Sequence, residues 1–144
     1  MGCSLGKKED MVSGEEPLKI LIIDDDKSTI MLLKRILGKS NKEYLIYTAG
    51  NGAAALSVIK NNQFDIAFID IWLPDMNGLE ILDRIKKINP HTLCYVISSQ
   101  SDNSYINKAM KLGIEQYILK PFKDEQILGA LAALNSNNKV DTIQ

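Results

Sequence analysis

Five times along this chain a short apolar run gives way to a stretch whose apolar residues recur at intervals of three and four. The runs Leu18 to Ile23, Glu43 to Thr48, Phe64 to Ile69, Leu93 to Ile97 and Glu115 to Leu119 have the length of strands, and the first, third and fourth are apolar almost throughout. Strands with one wet face alternate, whereas continuous runs suit strands covered on both faces. The stretches between them, Lys27 to Leu37, Asn51 to Lys60, Leu79 to Ile88, Asn103 to Leu112 and Lys123 to Leu134, read as helices. Thr29, Leu32, Leu33 and Ile36 form one stripe, and Ile127, Ala130, Leu131 and Leu134 another. Gly38 and Gly113 supply stops. Strict alternation of this kind predicts right-handed crossovers and an α/β fold: a doubly wound, five-stranded parallel sheet with helices on both faces.

A length of 144 residues, 45% of them hydrophobic, predicts one core, residues 18–135, and no second catalytic or output domain. Residues 1–17 and 136–144 are polar and are expected to be flexible tails. Lys and Arg number 17 against 18 Asp and Glu, a net charge of −1 that offers no footprint for direct nucleic-acid or membrane-surface binding. Cys3 and Cys94 make no disulfide framework, which favours a reducing compartment. No apolar run reaches the ~18 residues of a membrane span, and the N-terminus lacks a signal-peptide core. A cytoplasmic location follows as the expectation. Met1-Gly2-Cys3 hints at lipidation, but Gly6 stands where an N-myristoylation signal needs Ser or Thr.

Ligands of doubly wound sheets bind beyond the carboxyl ends of the strands. Asp24-Asp25-Asp26 follows the first strand, Asp70 the third, Ser98-Ser99 the fourth and Lys120-Pro121 the fifth; the second ends in Ala49-Gly50-Asn51-Gly52, with no comparable group. Taken singly these have ordinary readings, since Asp is a common helix N-cap and Ser a common turn residue. Together they are more specific. Carboxylates converging at one sheet end repel each other unless a cation offsets them, and an all-oxygen donor set points to a hard divalent ion such as Mg²⁺. One carboxylate can then attack phosphorus while a lysine and a hydroxyl contact the transferring oxygens. Asp70, Lys120 and Ser98 fit those roles.

Four blocks, Ile20 to Asp26, Ile69 to Gly78, Ile97-Ser98-Ser99 and Tyr117 to Phe122, resemble the receiver domains of two-component response regulators, of the single-domain chemotaxis-regulator type, over about residues 18–135. The resemblance implies the flavodoxin-like (βα)5 receiver fold with strand order 2-1-3-4-5. It implies that Asp70 is the phosphoacceptor and Ser98 the switch hydroxyl, with Lys120 the phosphate contact and Tyr117 the switch aromatic. Asp24, Asp25, Asp70 and the backbone carbonyl of Trp72 would hold Mg²⁺. Lys120-Pro121 would be cis. The implied partners are a sensor histidine kinase or phosphotransfer protein and a separate downstream protein target, read through the face of the fourth helix, fifth strand and fifth helix. The implied state is a monomer or a phosphorylation-dependent dimer. Such a chain is a signalling phosphoacceptor, not an enzyme with external turnover; it catalyses only its own phosphorylation and dephosphorylation.

Pro74 and Gly78 read as structural, and Lys27 and Gln100 depart from residues common in the family. His91, the only histidine, falls in a loop away from the strand ends. Two rivals stand beside the resemblance. Asp24 and Asp26 also match the Asp-x-Asp motif of haloacid-dehalogenase-like phosphatases, which would make Asp24 the nucleophile. The fold could instead serve as a pseudo-receiver, an interaction module that is never phosphorylated.

Overall fold

The computed structural model describes residues 16–143, with side chains through residue 136. Strand β1 (Leu18–Ile23) is followed by helix α1 (Lys27–Leu37), β2 (Tyr44–Ala49) by α2 (Gly52–Asn61), β3 (Ile66–Ile69) by α3 (Gly78–Ile88), β4 (Leu93–Ser98) by α4 (Asn103–Lys111), and β5 (Gln116–Leu119) by α5 (Asp124–Ile143). All four strand pairings are parallel and the order is β2-β1-β3-β4-β5. The chain therefore has the doubly wound receiver-type sheet that the alternation and the resemblance implied.

Side chains of a strand point to opposite faces in turn, so a run apolar throughout feeds two cores. In β1, Leu21 and Ile23 join Ala55, Ile59, Ile81, Leu82, Ile85 and Ala109 of α2, α3 and α4 in one layer. Ile20 and Ile22 join Leu33, Ile36, Leu37, Ile127, Ala130, Leu131 and Leu134 of α1 and α5 in the other. Both stripes expected for α1 and α5 face this second layer. Asp26, Asn51, Asn77 and Asp102 cap α1 to α4, each accepting a backbone N–H of the first turn.

Element bounds match expectation to within two residues, with one larger exception. Helix α5 continues to Ile143 instead of ending near Leu134. Neither Gly nor Pro occurs from Asn135 onward, so nothing local breaks the helix once its apolar stripe is spent. Cys3, the lipidation signal and the expected N-terminal tail up to residue 15 lie outside the described residues. Among the described residues, no helix is long and apolar enough to cross a membrane.

Candidate functional site

Strand β1 delivers the chain into Asp24, which is only 2% exposed, while Asp25 beside it is exposed. The backbone N–H of Asp24 donates to the Ala49 carbonyl at 3.0 Å, bracing it against the end of β2. Its Oδ1 accepts from Asp26 N at 2.9 Å, leaving Oδ2 for the site. Asp26 is committed elsewhere: it accepts from Ser28 N at 2.9 Å and from the Thr29 hydroxyl at 3.0 Å. The Thr29 bond, helped by that from Ser28, holds the Asp26 carboxyl below the usual range. The acidic cluster is thus divided, with Asp26 the helix cap and Asp24 and Asp25 left for chemistry. That division removes the second carboxylate that an Asp-x-Asp phosphatase needs.

Asp70 follows β3 directly, its N–H donating to the Ile23 carbonyl at 2.9 Å and the residue only 7% exposed. The loop beyond it folds back on itself. Trp72 N donates to Asp70 Oδ1 at 3.3 Å, Trp72 and Asn77 form an antiparallel bridge, and Gly78 N donates to the Ile71 carbonyl at 2.7 Å. Gly78 is required by close approach: a Cβ there would lie 2.1 Å from the Asp70 carbonyl oxygen.

Lys120 reaches in from the end of β5, across a cis bond to Pro121. Its Nζ lies 2.9 Å from Asp24 Oδ2 and 3.3 Å from Asp70 Oδ2. Burial alone would push the Lys120 ammonium down, but its hydrogen bond to Asp24 and the charges of Asp70 and Asp24 outweigh it, and the net shift is upward. Burial pushes the Asp70 carboxyl up; Lys120 opposes this and the Asp24 charge adds to it. Carboxylate oxygens of Asp24, Asp25 and Asp70 come within 4.8 Å of one another. Three carboxylates against one ammonium leave an excess of negative charge, and every donor is a hard oxygen. The set fits a divalent cation of the Mg²⁺ type.

Ser98 is fully buried at the end of β4, and its hydroxyl accepts from Gln100 N at 3.1 Å. Tyr117 is half-buried and its phenol donates to the Gln100 carbonyl at 2.6 Å, so both side chains grip one residue of the β4–α4 loop. Burial raises the Tyr117 pKa. Trp72 is 47% exposed, and its indole meets the Tyr105 ring of α4 edge-on, with ring centroids 5.4 Å apart. Carboxylates, lysine, hydroxyl and both aromatics therefore gather at the carboxyl end of the sheet, whereas exposed His91 lies in the loop before β4.

A family model for the response regulator receiver domain matches residues 20–132. The chain belongs to that family. It is 34% identical over 113 residues to the chemotaxis protein CheY of Thermotoga maritima, a match covering 78% of this chain and 93% of that protein. Similarity to the sporulation initiation phosphotransferase F of Bacillus subtilis is 30% over 113 residues, covering 78% and 90%. A solved CheY-like receiver domain protein from Methanospirillum hungatei JF-1 superposes with a TM-score of 0.79 at 28% identity, over 86% of this chain and 98% of that one. The protein is a receiver domain of two-component signalling, and phosphoryl acceptance is its function.

One participant in this receiver's architecture escaped the sequence reading. Asp75 accepts from Gly52 N at 2.7 Å and Ala53 N at 2.9 Å, joining the loop after Asp70 to the turn after β2 that carried no chemical group. An acid directly after Pro74 was the sole hint, and it named no partner.

Proposed function

We propose that Asp70 takes the phosphoryl group from a phosphohistidine on a sensor histidine kinase or phosphotransfer protein. An Asp70 carboxylate oxygen forms the new P–O bond as the P–N bond breaks. The bonding pair leaves on the imidazole nitrogen, which then takes a proton from solvent. The single observation that carries this reading is the convergence of Asp24, Asp25 and Asp70 with the Lys120 ammonium between Asp24 and Asp70. Lys120 turns from its carboxylates to a phosphoryl oxygen and steadies charge that builds in transfer. Mg²⁺, held by Asp24, Asp25, Asp70 and the Trp72 carbonyl, supplies further neutralisation of phosphoryl oxygens when bound.

Phosphorylation replaces a charge of −1 by about −1.5 to −2 and adds acceptor oxygens. The Ser98 hydroxyl leaves Gln100 N for one of them, and Tyr117 moves into the space this opens. The β4–α4 loop, anchored through Gln100, shifts with them and remodels the α4-β5-α5 face for a downstream protein. Such a switch is a population shift in an element with two packings.

Mass spectrometry after acetyl phosphate treatment, with and without Mg²⁺, tests the assignment. The expected result is one phosphoryl group on the wild type with Mg²⁺, and none on Asp70→Asn. Label retained by Asp70→Asn and lost in Asp24→Asn would instead favour phosphatase-like use of Asp24, and beryllofluoride binding separates a working receiver from a pseudo-receiver.

A further inference from the structure

The first backbone N–H groups of a helix have no partner within it, and they lie at its positive end. In α2 the side chain of Asn51 satisfies Ala54 N at 2.7 Å. Gly52 N and Ala53 N are taken instead by a residue more than twenty positions away, one on each Asp75 oxygen. The adjoining side chain, Met76, lies directly over Gly52: a Cβ there would stand 2.1 Å from Met76 Cγ and 2.2 Å from Sδ. The missing side chain at Gly52 is what allows Asp75 and Met76 to close onto the end of the helix. Apart from Lys120 Nζ on Asp70 and the backbone bond from Asp70 N to Ile23, the other hydrogen bonds of this loop stay within residues 70–80.

The turn that Asp75 grips is the one that braces Asp24, since the Ala49 carbonyl receives the Asp24 N–H. The geometry points to Asp75 as a positioning residue for phosphoryl transfer: its two bonds to α2 fix the loop that starts at Asp70 relative to the Asp24 side of the site. This inference rests on Asp70 being the acceptor. The Gly52 and Ala53 bonds also hold the Asp75 carboxyl below its usual range, so it grips as an anion at neutral pH. Asp75 is exposed, and water competes for both bonds. Losing them loosens the loop without emptying any part of the core.

The test compares Asp75→Ala and Asp75→Asn with wild type and with Asp83→Ala, which removes an exposed acid paired with Lys87 on α3. Each protein is phosphorylated with acetyl phosphate and Mg²⁺ well below its melting temperature. Steady-state anisotropy of Trp72, the sole tryptophan, is read in parallel without phosphorylation. Asp75→Ala is expected to be phosphorylated about three- to tenfold more slowly, with lower Trp72 anisotropy. Asn keeps one acceptor oxygen and restores the rate to within about twofold of wild type; Asp83→Ala matches wild type. Wild-type rate and anisotropy in Asp75→Ala overturn the inference, as does an Asn variant as slow as the Ala variant. A wild-type protein that accepts no phosphoryl group overturns the receiver assignment of Asp70 instead, and the anisotropy arm then decides by itself whether Asp75 holds the loop.

Discussion

Gly78→Ala is the sharpest probe of how the loop after Asp70 is built. The added Cβ would sit 2.1 Å from the Asp70 carbonyl oxygen, 2.9 Å from its carbonyl carbon and 2.9 Å from Ile71 Cα. All three are backbone atoms at the end of β3, so no rotamer change relieves the clash. The loop must open by more than about 1 Å to reach ordinary contact distance, and overpacking of that kind costs about 1–3 kcal/mol. Opening also breaks the 2.7 Å bond from Gly78 N to Ile71 O, a further loss of about 1 kcal/mol. Against a partial gain in helix propensity of less than about 1 kcal/mol, the net loss is about 3 kcal/mol. With an unfolding entropy of about 2.1 cal/mol/K per residue, that lowers the melting temperature by roughly 11 °C. In urea the midpoint should fall by about 1.5 M with little change in slope. Gly52→Ala is the internal comparison: its Cβ meets Met76 Cγ and Sδ and, at 3.1 Å, Asp75 Oδ1, all side-chain atoms that can shift without opening the backbone, for about 1–2 kcal/mol. A Gly78→Ala protein melting within about 3 °C of wild type, or one no less stable than Gly52→Ala, would refute the close-approach argument.

Three further outcomes follow from the electrostatics. In Lys120→Met the carboxylates of Asp24 and Asp70 face each other without their cation; because Lys120 is itself about a fifth exposed, the expected loss is reduced to about 1–3 kcal/mol at pH 7. That deficit should shrink on melting at pH 5, and an equal deficit at both values argues against carboxylate repulsion. Burial, with Asp24 beside it, raises the Asp70 pKa, so the folded state binds more protons than the unfolded state, and this group's contribution falls as pH rises from the ordinary Asp range through the folded value. Asp70→Asn should therefore melt a few degrees higher than wild type at pH 7 in chelator, with the advantage vanishing in acid; an advantage that grows in acid reverses the sign and sinks the reasoning. Finally, Mg²⁺ at about 100 times its Kd should stabilise the wild type by about 2.7 kcal/mol. Exposed Asp25 changed to Asn should lose most of that gain while leaving the ion-free melting temperature nearly unchanged, as calorimetry can check.

The sheet was readable because its code is short-range. Apolar runs such as Ile20 to Ile23 specify strands covered on both sides, and the stripe of α5 specifies the face it buries. Most of the site was readable for a related reason: in a doubly wound sheet, residues that follow different strands must meet at one edge. What the sequence left undivided was Asp24-Asp25-Asp26, where capping and ligation compete for the same residue type and only the Thr29 and Ser28 bonds assign Asp26 to the cap. Asp75 was illegible because its partners are backbone amides of another element, which every residue but proline possesses. The shared grip of Ser98 and Tyr117 on Gln100 was hidden likewise, since it engages that residue's main chain. Helix α5 outran its stripe because a polar stretch without Gly or Pro carries no stop signal.

The two apolar layers divide the α4-β5-α5 face unequally. Tyr117 and α4 pack into the layer shared with α2 and α3, while α5 is rooted with α1 on the far side of the sheet through Ile127, Leu131 and Leu134. Under the proposed switch, a rearrangement begun at Gln100 would displace one bank of that surface and leave the other standing. A partner reading such a switch would sense a change in the spacing of a travelling helix and a stationary one, not a rotation of the whole face.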